Sequence, residues 1–427
     1  MNIDQLLHHF LECRSISTDS RFIEKGSIYF ALKGERFNGN DFAEKAIQNG
    51  ASLAVMDEDR GLPGNRVMLV EDVLKTLQHL SKTYRLRFKI PFLAITGSNG
   101  KTTSKELIRE VLCKKFNHVS ATKGNLNNHI GVPLTLLSIP ENCDFAIIEM
   151  GANHCGEIKS YCDIAEPTHG FITNIGKAHL EGFGGVEGVF RGKKELFDYL
   201  KEHQGLAFVN GDFENIKLAA AGVQSEIFES KGGESTFEVL SSSPNLIFRY
   251  SDKSINRETQ THLAGAYNIY NIAAAISIGK YYGVNISEAL DAVSNFKPDN
   301  NRSQITTTAS NQVIMDAYNA NPSSMFEALQ NLAIQTSSTF FVIGDMFELG
   351  SDSEEEHRKI LSLAESLGLN GIAIGKYFQS VSQKFTYPVF VNKEDAVLWL
   401  KQNKQESKTI LLKGSRGMKL EELMPFL

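Results

Sequence analysis

The sequence predicts an α/β protein of three domains: a small N-terminal α/β domain, a central domain built on a mostly parallel sheet, and a C-terminal Rossmann-like domain. Three observations lead there. The chain has 427 residues, enough for about three domains of ~150 residues. From Phe92 onward short apolar strands alternate with helical periodicities, the pattern of a doubly wound parallel sheet. Breaks at Lys89–Pro91 and Lys297–Asn301 divide the chain into 1–88, 89–298 and 299–427.

In the first unit, strands are predicted at Ile28–Leu32, Ser52–Met56 and Val67–Val70, with helices at Asp41–Gln48 and Glu71–Tyr84. In the latter, Val73, Leu77, Leu80 and Tyr84 step along one face. The central unit opens with strand Phe92–Thr96, a Gly-rich turn, and a helix striped by Leu107, Ile108, Val111 and Leu112. Strands Phe145–Met150, Gly170–Ile175 and Leu206–Val209 follow, then a Ser-, Gly- and charge-rich stretch, 221–260, expected as a hairpin-like excursion. Ile269, Ile272, Ala273 and Ile276 then mark another helix. In the third unit, strands are predicted at Val313–Asp316, Phe340–Gly344, Gly371–Ile374, Pro388–Val391 and Thr409–Leu412. Helices are predicted at Ser323–Leu332, through Ile360, Leu363, Ala364 and Leu367, and near Lys393–Leu400. The central and C-terminal sheets are expected to bury their own cores, so the chain should fold without its first 88 residues.

Composition narrows the function. The net charge is 44 − 50 = −6, which argues against a nucleic-acid binder or a polybasic membrane binder. No apolar run approaches the ~18–20 residues of a membrane span. The first residues lack a basic end followed by an apolar block, so a cytoplasmic protein is expected. The 5 cysteines include no Cys-x-x-Cys and read as reduced thiols. His154, Cys155, Cys162 and His169 match no standard zinc spacing.

Chemistry concentrates in Ile95-Thr-Gly-Ser-Asn-Gly-Lys-Thr-Thr103, between a predicted strand and a helix. Gly97 and Gly100 allow backbone N–H groups to turn inward around phosphate oxygens, past Ser98 and Asn99. Lys101 supplies a point charge for β/γ-phosphates, and the hydroxyl of Thr102, followed by Thr103, suits Mg²⁺. The usual consensus has glycine where Ile95 stands, so this is a variant with its first glycine at 97. Glu149 ends an apolar strand. A carboxylate there closes on a metal or caps a helix, and the phosphate loop favours the metal. His179 lies beyond the next strand, where a lone histidine is more often structural. Lys193 and Lys194 form a pair whose default reading is a solvated helix face.

The segments GSNGKTT, EMGANH, NIGKAHLE and KKELF, in this order and spacing, resemble the Mur ligases, ATP-dependent amide-forming enzymes of peptidoglycan precursor synthesis. Gly124–Pro133, Gly265–Asn271, Met315–Pro322, Gly344–Gly350 and Lys413–Arg416 extend the resemblance over essentially the whole chain. Within the family, YNANP followed by SSM, GDM-x-ELG and KGSR are similar to the branch that adds D-alanyl-D-alanine to UDP-N-acetylmuramoyl-tripeptide. The resemblance implies an acyl-phosphate route, with Lys101, Glu149, His179 and Lys193 as catalytic residues. It implies two Mg²⁺ ions, one on Thr102 and Glu149 and one near His179, with Lys193 carbamylated. ATP would be held by Gly97 to Thr103, with Asn125 at the γ-phosphate, Asn271 on adenine, Asp316 on the ribose and Arg302 near the phosphates. Ser17, Thr18, Asp19, Ser20 and Arg21, with Ala31–Asn40, resemble the family's UDP-binding domain. Asn319, Asn321, Lys413, Ser415 and Arg416 would serve substrate binding, in a monomer. Three positions depart from the family: Asn40 and Tyr267 stand where histidines are frequent, and Arg302 follows an asparagine.

Overall fold

The computed structural model describes residues 2–298, 304–335 and 338–427. Its N-terminal sheet is parallel, with strands Ile16–Ser17, Ile28–Phe30, Leu53–Met56 and Val67–Leu69 side by side. Helix Val73–Arg85 starts at Asp72, whose carboxylate accepts the Lys75 N–H, and buries the predicted face. Helix Ile3–Cys13, not read from the sequence, begins with a capping box of Asn2 and Gln5 and buries Leu6 and Phe10.

The central sheet has six parallel strands, in the order Gln224–Phe228, Leu206–Asn210, His169–Ile172, Phe92–Thr96, Phe145–Glu149, Val119–Ala121. Val119–Ala121 is a half-buried edge of 3 residues, too short to show a period in sequence. The 221–260 excursion is more than a hairpin. Its first strand extends the parallel sheet, and Thr236–Ser241, Ile247–Ser251 and Asn256–Gln260 form a separate antiparallel meander. Helix Asn268–Tyr281 lies against helix Lys101–Leu112, where Ala273, Ala274 and Ala275 are all fully buried.

The C-terminal sheet orders its strands Gln304–Thr307, Gln312–Asp316, Thr409–Lys413, Thr339–Gly344, Gly371–Ile374, Val389–Phe390. Only its first pair is antiparallel. Part of the second sequence break, with Arg302, lies outside the described residues. No helix among the described residues is long and apolar enough to cross a membrane.

Packing runs straight through the first sequence break. Phe10, Tyr84, Phe88 and Phe92 form a chain of edge-on rings with centroids 5.2, 5.1 and 6.2 Å apart. Helix Val73–Arg85 rests on helices Gly131–Leu137 and Glu157–Ala165 of the central unit. This continuity runs against the expectation that the chain folds without its first 88 residues, because their removal strips an apolar face. Arg85 ties the junction. Its guanidinium donates to the carbonyls of Ala165 (2.7 Å), Glu166 (2.8 Å) and Phe88 (3.2 Å) and lies 3.6 Å from the Phe92 ring centroid. Burial pulls its pKa down to about 10, and the Glu166 charge partly opposes that. Arg85→Met leaves three carbonyls without their charged donor and is expected to lower unfolding free energy by about 3 kcal/mol. A shift in the urea midpoint measures it; a loss under about 0.5 kcal/mol, the range of ordinary surface substitutions, would make the tie incidental.

Candidate active site

The parallel registers bring three strand ends together. Thr96 pairs with Ile172 on one side, and Ile95 with Glu149 on the other. The loop after Thr96 therefore leaves the sheet at its carboxyl edge, where open α/β sheets bind ligands. Two glycines make the loop possible. Gly97 has φ +144°, and a Cβ there would stand 2.0 Å from the Thr173 hydroxyl. Gly100 has φ +76°, and its Cβ would stand 2.6 Å from Asn271 Oδ1.

The neighbouring strand's loop braces this turn. Ser98 N–H donates to the Asn174 carbonyl (3.0 Å), Asn99 N–H to Asn174 Oδ1 (3.0 Å), and the Thr173 hydroxyl to the Asn99 carbonyl (2.6 Å). Lys101 folds its ammonium back onto the Gly97 carbonyl at 2.6 Å. Thr102 turns inward and donates to both oxygens of Glu149 at 3.1 and 2.9 Å. The carboxylate is almost fully buried. It also accepts from Asn127 Nδ2 (2.8 Å) and lies 3.8 Å from the ammonium of Lys105, itself fully buried. Hydroxyl, carboxylate and amide are hard oxygen donors suited to Mg²⁺. Among the described residues no group of three His, Cys, Asp or Glu side chains is placed to hold a metal ion.

A cavity of about 540 Å³ opens here between the carboxyl edges of the central and C-terminal sheets. Ser98, Asn99, Gly100, Lys101, Thr103, Glu149 and Asn271 line it on one side; Asp316, Asn319, Asn321 and Lys413 line it on the other. Asp316 and Lys413 are in register on adjacent parallel strands and form an ion pair at 2.5 Å, with the lysine buried. Asn321 Nδ2 reaches across to Asn99 Oδ1 at 2.7 Å. Asn271 accepts from Ser104 (2.9 Å) and donates to Asn268 (2.8 Å). His179 lines this cavity and a smaller one, of about 140 Å³, that also holds Ser415, Arg416, Phe347 and Glu348. Its Nδ1 meets the Glu348 carboxylate, and this hydrogen bond holds the Glu348 carboxyl below its usual range.

Lys193 is not on a solvated face. It is 1% exposed, with its amine 3.2 Å from the Ala152 carbonyl and 5.1 Å from the Phe183 ring centroid. Burial, helped by the positive charge of Lys101, holds its pKa well below that of an ordinary lysine. Lys194, the next residue, is a third exposed and pairs with Asp198.

Two sequence-predicted groups sit elsewhere. Asn125 is exposed and does not line the cavity; Asn127, two residues on in the same run, takes the inward place. The run GNLNNH carries the signal but cannot say which asparagine turns in. Ser17 to Arg21 lie in the N-terminal unit away from both cavities, with Arg21 bonded to Asp19 at 2.6 Å; that partner lowers the Asp19 pKa to about 2. Asn40, where the family often has histidine, is internal and bonds to Asn38 and Asp57. Sequence reasoning also missed Lys105 and the aromatic wall of Phe213 and Tyr270, whose ring centroids are 4.8 Å apart. Lys105 was findable, since it shares a helical face with Ile108 and Leu112.

The comparisons with known proteins agree along the whole chain. Family models match residues 12–85 (Mur ligase family, catalytic domain), 95–279 (Mur ligase middle domain) and 301–416 (Mur ligase, glutamate ligase domain). The UDP-N-acetylmuramoyl-tripeptide–D-alanyl-D-alanine ligase of Bacillus subtilis is 34% identical over 423 residues, covering 96% of this chain and 92% of that protein. The crystal structure of MurF from Acinetobacter baumannii superposes with a TM-score of 0.87 at 32% identity, covering 97% of this chain and 93% of the other. MurF ligase from Thermotoga maritima, solved in complex with ADP, gives 0.86 at 25% identity, covering 97% of each chain. The chain belongs to the Mur ligase family.

Proposed function

We propose that this chain is an ATP-dependent, ADP-forming amide ligase that joins D-alanyl-D-alanine to UDP-N-acetylmuramoyl-tripeptide, making the pentapeptide precursor of peptidoglycan. The observation that carries this reading is the phosphate loop facing Asp316, Asn321 and Lys413 across one cavity, in a chain that matches such ligases over nearly its whole length. We take the domains as 1–88 for the UDP substrate, 89–298 for ATP and 299–427 for closing over it, in a cytoplasmic monomer.

Forming an amide from a carboxylate in water is uphill, so the tripeptide's terminal carboxylate attacks the γ-phosphate of ATP. The products are ADP and an acyl phosphate; the dipeptide amine then displaces phosphate through a tetrahedral intermediate. Both reactants are anionic, and neutralising their charge is the main catalytic demand. The N–H groups at the start of helix Lys101–Leu112 cradle the phosphates, those of Ser98 and Asn99 being held by Asn174, and Lys101 leaves its loop carbonyls to meet them. Asn271 reads adenine, Asp316 holds the ribose, Arg302 is assigned to the phosphates, and Asn127 takes the place expected of Asn125 beside Glu149. Asn319, Asn321, Lys413, Ser415 and Arg416 face the incoming substrate, while Ser17 to Arg21 hold the uridine end.

Thr102 and Glu149, with Asn127 behind them, fit one Mg²⁺ through oxygen donors; His179 and Lys193 are assigned to a second. Bound Mg²⁺ supplies positive charge to the γ-phosphate and the attacking carboxylate. Lys193 suits carbamylation because its buried amine is held toward the neutral form, the one that adds to carbon dioxide. From the neutral amine an N–C bond forms to carbon dioxide and one proton leaves, so a side chain that gave up a first proton on burial ends as an anion able to face a metal.

Two measurements test this reading. Purified protein with ATP, Mg²⁺ and the UDP-linked tripeptide is expected to release phosphate strongly with D-alanyl-D-alanine and weakly with D-glutamate or free L-amino acids. A single amino acid acting as the better acceptor would overturn the branch assignment. The second compares neighbouring lysines. Lys193→Ala is expected to lower turnover by ~10²–10³, the usual loss of an electrostatic stabiliser, while Lys194→Ala stays near the parent rate. Equal, mild losses at the two positions would remove Lys193 from the reaction.

A further inference from the structure

We propose that Glu348, carried by the C-terminal domain, is a positioning residue for His179 of the central domain: it fixes the ring so that Nε2 faces the reaction cavity, and it does so only while the two domains are docked. The inference rests on the reading above in one respect, that His179 serves the phosphate end of the cavity.

Three observations carry it. The first is the contact of His179 Nδ1 with Glu348 Oε2. An ionised carboxylate can only accept, so Nδ1 carries the hydrogen, and in the neutral ring that leaves the lone pair on Nε2. A histidine that works through one ring nitrogen commonly gives the other's N–H to a carboxylate, which sets both tautomer and orientation. The second is backbone conformation. His179 has φ +53° and Glu348 φ +62°, the left-handed region that L-residues rarely occupy. Such strain persists where surrounding structure enforces it and gathers at functional sites. Here two strained residues face each other from different domains. The third is a second clasp at the same place, where the Glu181 N–H donates to the Glu348 carbonyl at 3.2 Å. The loop is thus held by its main chain, and the side chain is left to hold the imidazole. Glu348 is half exposed, so it contributes little to either core.

The test uses full-length protein labelled with ¹⁵N-histidine, with the His179 ring signals assigned by their loss in His179→Ala. The parent is expected to show the Nδ1–H tautomer at His179, and Glu348→Ala the Nε2–H form that free imidazole prefers, or a mixture. Phosphate release with D-alanyl-D-alanine should fall about 10–100-fold in Glu348→Ala, the usual loss for such a partner. The KM for ATP should stay within about twofold, since uniform nucleotide binding is untouched. Glu348→Gln, whose amide oxygen still accepts the Nδ1–H, should restore both tautomer and part of the rate. In a His179→Ala background, Glu348→Ala should add almost nothing. An Nε2–H ring in the parent, or an equal loss from Glu348→Ala in both backgrounds, would overturn the proposal. A parent protein inactive with D-alanyl-D-alanine would instead count against the proposed reaction, while the tautomer measurement would still decide the role of Glu348.

Discussion

The cavity depends on two missing methylene-sized volumes. Strand order puts His169–Ile172 beside Phe92–Thr96, so the loops that leave these strands must pass each other within van der Waals contact. Gly97 lets Thr173 close to the backbone, and Gly100 lets Asn271 do so. Any side chain at either position would push apart the loop and its braces, and with them the N–H groups that must converge on one anion. Thr102, Glu149 and Lys101 inherit their places from that turn. So does Asn99, which carries the hydrogen bond to the C-terminal domain.

Around this turn the protein buries charge at a cost. Lys105, Glu149, Lys193 and Lys413 are all 2% exposed or less, and each loses several kcal/mol of hydration on burial. Lys413 recovers part of it from Asp316, and Glu149 from Thr102, Asn127 and Lys105. Among the described residues Lys193 donates to the Ala152 carbonyl and to no carboxylate, and it yields by shifting toward the neutral amine. A buried amine with this weak support gains from any chemistry that provides it with a better partner, which is why its neighbourhood reads as reactive where that of Lys194 does not.

The sequence was most legible where a period or a turn must repeat. The steps of four, three and four residues from Val73 to Tyr84, the apolar strands flanking the phosphate loop, and the loop's glycines all report local backbone demands. Legibility failed where the cause is non-local. Val119–Ala121 is a strand only because Phe145–Glu149 offers an edge to pair with. Asn127 rather than Asn125 turns inward because Glu149 stands on that side, a fact of sheet order that no spacing contains. The solvated reading of Lys193 was the right default for a lysine pair. It fails here because Phe183 and Ala152 cover that face of the helix. The break at Lys89–Pro91 marks where the chain passes between sheets, but the aromatic rings beside it pack as one unit.

Apolar packing runs through both junctions between domains, but the second adds a set of polar contacts around the cavity. At the first, edge-on rings and the buried Arg85 guanidinium join the N-terminal and central units, and opening it would expose apolar surface and orphan a cation. Around the cavity, the second junction is closed by Asn99 with Asn321, Lys177 with Ser323 and Glu356, and His179 with Glu348. The neutral ones among these can be exchanged for water at a net cost of ~1 kcal/mol and the charged ones at about 1.5–3 kcal/mol. On the function proposed above, one end of a long substrate would be held at a fixed distance from the phosphate loop, while the other face of the cavity would part to admit nucleotide and acceptor. A ligase that must exclude water from an acyl phosphate, yet release a product longer than its substrate, needs one rigid junction and one that opens.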